Sequence, residues 1–311
     1  MKKLLILCLI IVFIISISFG KSFISIWNVK PEQLTLLYQI RLPHAILAFI
    51  CGASLSVAGS VYQGLFRNNL ASPYTLGIAS GASLGAYLAY LFNFPFIFIF
   101  SFLGAIGTLF IIFVIPSLKG MSVSINKFLL TGVCLSFILS SFILFTQYLM
   151  SSFALKNAMH FIIGDISIVG WEALYYLIPV LVICFIILFK YHNELSLISI
   201  SESHAKVQGV AVKKVQFISL IVASFLVAAI ISYCGPIGFV GIIIPNIFRK
   251  YFPSNYCEIL IGSFLAGGIF LLLMDLLSRT IISQGNFPIG IITSVIGGPI
   301  FLMLLLRSEK V

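Results

Sequence analysis

RLPHAILAFICGASLSVAGSVYQGLFRNNLASPYTLGIASGASLGA, residues Arg41 to Ala86, holds two apolar runs separated by one short polar turn. A bilayer hydrocarbon core takes about 20 helical residues, and the run Leu42 to Gln63 has that length with no Asp, Glu, Lys or Arg inside it. Arg41 precedes it and Arg67 follows it. Small residues recur at every fourth position. Ala48, Gly52, Ser56, Ser60 and Gly64 make one stripe and Gly77, Gly81 and Gly85 a second, with a third at Gly290, Ser294 and Gly298. This spacing places them on one helix face, where neighbouring backbones can approach closely. Packing within one subunit is the plainer reading of each stripe, and a subunit or pathway surface is the other.

The rest of the chain repeats this pattern. Of 311 residues 61% are hydrophobic and only 8% charged, with a mean hydropathy of +1.19, whereas soluble domains carry about a quarter charged residues. The fold expected is all-α, a polytopic membrane protein with about ten transmembrane helices. The spans run Leu4 to Phe19, Leu42 to Gln63, Tyr74 to Phe92, Phe96 to Ser117, Phe128 to Met150, Trp171 to Phe189, Val215 to Tyr233, Ile237 to Tyr251, Ile259 to Leu277 and Pro288 to Leu306. The span from Ile237 is short and contains Pro245, so a break or bend is expected there. Met1-Lys2-Lys3 before an apolar run also has the layout of a signal peptide; a retained first span is the expectation.

The net charge of +10 is scattered in small groups beside apolar runs, which excludes a nucleic-acid surface and suits topology signals. Thirteen of the 18 Lys and Arg fall on one side of the expected spans and five on the other. By the positive-inside rule both termini are cytoplasmic. The same rule places in the cytoplasm the polar interruption ISISESHAKVQGVAVKKVQ, Ile198 to Gln216.

Several patterns suggest chemistry that their surroundings deny. Gly20-Lys21-Ser22 ends like a phosphate loop, but Ile15 stands where the leading glycine belongs. Gly81-Ala82-Ser83-Leu84-Gly85 has the form of a serine nucleophile motif, yet His44, His160, His192 and His204 lie at span ends or in loops. The six cysteines form no CxxC pair and read as small apolar packing residues. Asp275 is the one clear acid within an apolar segment, and Arg279 lies four residues on, where the two can pair. No metal site and no cofactor is expected.

Read together, Arg41 to Ala86, GPIGFVGIIIPNIFRKYF (Gly235 to Phe252), DLLSRTIISQGNFPIGIITSVIGGPIFLMLLLR (Asp275 to Arg307) and the polar segment resemble the FecCD-type permeases. These are the membrane subunits of ABC importers for iron-siderophore complexes, haem and cobalamin. The resemblance implies one transmembrane permease domain over residues 1–311, with a cytoplasmic coupling segment at about 193–214. It implies a dimer, homodimeric or heterodimeric, with the substrate pathway between subunits in a bacterial inner membrane. Two cytoplasmic ATPase subunits would drive it, and an extracytoplasmic binding protein would deliver the ligand. The chain itself would be no enzyme.

Residue by residue, Ser201, Glu202, Ala205 and Gly209 match the family's ATPase-coupling helix. Their chemistry suits the part: Ser201 can cap the helix start with Glu202 in the first turn, and Gly209 can end it in a left-handed turn. Arg41 and Arg279 match arginines that receive acidic groups of the binding protein, a task for planar guanidinium groups. His44 stands where the family has a second arginine, Ser201 where it often has glycine, Gln208 where it has leucine and Asn286 where it has glutamate. An ion-coupled carrier and an intramembrane serine hydrolase are the alternatives, and no residue distinguishes among the chelates.

Overall fold

The structure is a computed structural model that describes residues 2–20, 31–118, 125–166, 170–252, 255–281 and 287–306. Lys21, Lys119, Asn286, Arg307 and Lys310 lie outside the described residues.

The chain is an all-α polytopic membrane protein. Ten helices fall on the ten expected spans: α1 (Lys2–Ser18), α3 (Leu42–Phe66), α4 (Ile78–Leu91), α5 (Ile97–Leu118), α6 (Ile125–Leu149), α8 (Glu172–Lys190), α11 (Val212–Cys234), α12 (Val240–Tyr251), α13 (Tyr256–Ile281) and α14 (Ile289–Leu306). Four shorter helices complete the set: α2 (Pro31–Leu36), α7 (Ser152–Ile163) and α9 (His192–Ile200), which apolar runs do not reveal, and α10 (Glu202–Val207), the helix expected between Ser201 and Gly209. A π-helical turn, Leu37–Arg41, joins α2 to α3.

Helix α3 is the axis of the bundle. All of its residues except Leu42, Ile46 and Phe49 are buried, and α11, α12 and α13 pack around it. Lipid tails offer no hydrophobic drive for such packing, so close backbone contact must supply it. Glycine makes the contact possible. A Cβ on Gly52 would collide with the Gly267 carbonyl of α13, and one on Gly59 with the Gly241 carbonyl of α12. Gly59 lies off the stripe marked in the sequence, where its offset from Gly52 breaks the fourfold spacing.

The second stripe needs correction. Gly81 and Gly85 do face α5, where added Cβ atoms would strike the Gly104 and Phe100 carbonyls. Gly77 is not on that helix: α4 begins at Ile78, and Gly77 precedes it with φ +73. Pro73 and the Ser72–Thr75 hydrogen bonds hold the residues before it in a turn, so the helix starts later than apolarity indicates.

The expected break lies ahead of Pro245 rather than at it, and α12 continues through the proline. From Gly235 to Phe239 the chain leaves helical geometry, and α12 restarts at Val240 after Phe239 at φ +68. Pro245 has no N–H for the carbonyl of Gly241 four residues earlier. Gln63 supplies the donor, its Nε2 reaching Gly241 O at 3.2 Å and Ile242 O at 3.1 Å.

Candidate functional site

The polar segment forms a helix–turn–helix arm on one end of the bundle. Helix α9 buries Leu195 and Ile198, and the chain then extends at Ser201, φ −161 and ψ 133. Ser201 Oγ accepts from the His204 N–H at 3.4 Å, so the serine caps α10 as its position suggests. The other end of α10 is closed by a paired turn: Gly209 N–H donates to Lys206 O and Val210 N–H to Ala205 O, both at 3.0 Å. This is a Schellman ending, and Gly209 takes its left-handed position at φ +81. Ala205 is fully buried, whereas Ile200 is 71% and Val207 87% exposed.

Glu202 faces the chain as well as the helix start. Its Oε1 accepts from Gln216 Nε2 at 3.1 Å and meets Arg67 Nη2 at 3.5 Å. Arg67 is the residue after α3, held at φ 46. One carboxylate therefore links the ends of α3, α10 and α11. Sequence spacing could not show this, since Arg67 and Glu202 are 135 residues apart.

At the opposite end of α3 the three docking candidates come together. Arg41 is 5% exposed, and its Nη1 donates to the Ile17 and Ser18 carbonyls at 2.8 and 2.9 Å, closing the last turn of α1. Arg279 pairs with Asp275 at 2.5 Å and donates to Ser16 Oγ at 2.8 Å. The intrahelical pair read from the sequence is present but incomplete: His44 Nε2 also meets Asp275 Oδ1 at 2.7 Å. Asp275 and His44 are 2% and 7% exposed, so the carboxylate is shared between two helices inside the bundle. The guanidinium groups hold α1, α3 and α13 together, the anchoring role open to Arg41 from its place at a span end.

Between these ends lies an open cleft of about 860 Å³, bordered by α4, α6, α7, α14 and the turn before α12. Its polar lining comprises Tyr74, Ser80, Ser83, Ser140, Gln147 and Ser294. Among the described residues lining it there is no histidine, lysine, arginine, aspartate or glutamate. Ser83 thus has no base beside it in the cleft, and the arrangement offers hydroxyl contacts but no nucleophile activation. Among the described residues no cluster of three His, Cys, Asp or Glu could hold a metal ion.

The FecCD transport family model matches residues 7–307. The chain is 31% identical to the vitamin B12 import system permease protein BtuC of Klebsiella pneumoniae, over 92% of that protein and 97% of this chain. It is 30% identical to the molybdate import system permease protein MolB of Haemophilus influenzae, over 94% of that protein and 98% of this chain. A solved structure described as an inward-facing conformation of a metal-chelate type ABC transporter superposes with a TM-score of 0.91. That structure is 31% identical, with 97% of each chain covered.

Proposed function

This chain belongs to the FecCD transport family and is an ABC importer permease, and from that premise we propose that it carries an iron chelate, a ferric siderophore or haem, into the cytoplasm. Relatives are named for vitamin B12, molybdate, iron chelatin and hemin, so the family leaves the cargo open, and the iron chelate is the reading we favour. A wide, mostly apolar lining, dotted with hydroxyls and carrying no charged side chain among the described residues, suits a bulky complex that must pass without being held tightly.

The observation that carries the transport reading is the capped helix α10. Its Ser201 and Gly209 ends fix a rigid unit, Ala205 seats it on the bundle, and exposed Ile200 and Val207 offer an apolar contact for an ATPase subunit. Glu202 would transmit movement of that unit to α3 and α11 through Arg67 and Gln216. Two ATPase chains, a partner permease subunit across the cleft and an external binding protein would complete the importer. The membrane would be the bacterial inner membrane, with both termini in the cytoplasm.

Gly209→Val tests the joint. A Cβ there meets nothing within 4 Å, but the φ of +81 is one that a β-branched residue rarely adopts. The expected cost is about 1–2 kcal/mol of local strain, confined to α10. The variant should reach the membrane in normal amounts, while ATP hydrolysis in the assembled importer no longer drives uptake. Normal coupling in this variant would show that the joint lies elsewhere.

Arg41 and Arg279 can serve the binding protein only if acidic groups compete with the α1 carbonyls and Asp275. Charge reversal at both is expected to weaken docking, measured as binding-protein affinity at moderate salt. It should also lower thermal stability. Unchanged affinity in folded protein would count against docking at this end.

A further inference from the structure

Two thiols inside the bundle have no part in the transport reading. Cys51 lies in α3 and Cys234 is the last residue of α11, and both are essentially fully buried. Their sulfurs are 3.1 Å apart. A disulfide needs about 2.05 Å, so a shift of roughly 1 Å shared by two side chains would complete the bond. The other four cysteines are free thiols elsewhere in the bundle, with Cys134 exposed.

Cys234 also occupies a sensitive place. Its carbonyl accepts from the Asp165 N–H at 3.0 Å, and the non-helical turn that leads to α12 starts at the next residue. Pro236, Gly238 and Phe239 of that turn line the cleft. A bond from Cys234 to the central helix would fix the start of this turn.

We propose that Cys51 and Cys234 are a modification site, converted by hydrogen peroxide into an intramolecular disulfide that pins the end of α11 to α3. A small uncharged oxidant is required because no larger disulfide reagent reaches sulfurs with this burial. One sulfur attacks a peroxide oxygen, the O–O bond breaks, and a sulfenic acid and one water result. The second sulfur attacks the sulfenic sulfur, forming the S–S bond and releasing the second water. Two thiols and one peroxide give one disulfide and two waters, with two electrons passing from sulfur to oxygen. A thiol reductant reverses the change.

The test treats the full chain in membrane vesicles with hydrogen peroxide, traps remaining thiols on denaturation, and maps peptides by mass spectrometry. The expected result is a Cys51–Cys234 linked peptide that forms in wild type and in Cys134→Ser and is removed by a membrane-permeant phosphine. Neither Cys51→Ser nor Cys234→Ser should give it. Recovery of both as free thiols while Cys134 is oxidised overturns the proposal, as does indiscriminate linkage to other cysteines. The pinning has its own readout: oxidation should raise the unfolding temperature of wild type and leave Cys51→Ser unchanged. A formed link without that rise overturns the pinning. Neither measurement depends on transport, so failure of the importer reading would be seen separately.

Discussion

Asp275→Ala is expected to destabilise the protein by about 3–5 kcal/mol, the usual result of removing one partner from a buried ion pair. The carboxylate lies between His44 and Arg279 and is 2% exposed. Without it the Arg279 guanidinium stays buried with no counter-charge, and the tie between α3 and α13 is lost. The penalty comes from the group left behind. Removing Arg279 as well, in Asp275→Ala/Arg279→Ala, should therefore cost less than the sum of the two single changes. Thermal unfolding in detergent reads this directly. An Asp275→Ala protein within about 0.5 kcal/mol of wild type, a surface-like effect, would show that the cluster contributes little.

The second large effect is steric. Gly52→Leu places a side chain where the Gly267 carbonyl of α13 stands, and Gly59→Val does the same against Gly241 of α12. Overpacking a core costs about 1–3 kcal/mol when side chains can yield. Here the obstacle is backbone, and helices α3, α12 and α13 would have to separate. Both variants are expected to lose the folded, monodisperse species on size exclusion and to fall in membrane abundance. Gly107→Leu is the control, since a Cβ there meets nothing within 4 Å. Normal folding of Gly52→Leu would mean that these helices are not held at backbone contact.

The spans were legible because bilayer thickness imposes one length on every crossing helix. Leu42 to Gln63 and α3 agree to within a few residues, whereas the break expected from Pro245 lies ahead of it at residues 235–239, where Gly235, Pro236 and Gly238 stand, and α12 runs through Pro245. The caps of α10 were legible too, since Ser201 and Gly209 are local chemistry. What escaped the sequence was distant pairing. Nothing in the spacing of His44 and Asp275, or of Arg67 and Glu202, says that they meet, because helix order around α3 sets those contacts. The arginines at 41 and 279 illustrate the difference. Their place at span ends was readable, while their engagement with Ser16, Ile17 and Ser18 required the packing of α1. Gly77 makes its close approach, to Gly132 and Ser136, from the turn before α4 rather than from the helix face, because the chain turns after Pro73 before the helix begins.

The buried acid also bears on the alternative of an ion-coupled carrier, which needs an ionisable group able to exchange its ion within a span. Asp275 is occupied by two basic partners away from the cleft lining. The most direct measurement is therefore uptake by proteoliposomes containing this chain, with and without its ATPase and binding protein, using a ferric siderophore and haem as cargo. Uptake that requires both partners and internal ATP is the predicted result, with none from the chain alone under any imposed ion gradient. Gradient-driven uptake by the chain alone would contradict it.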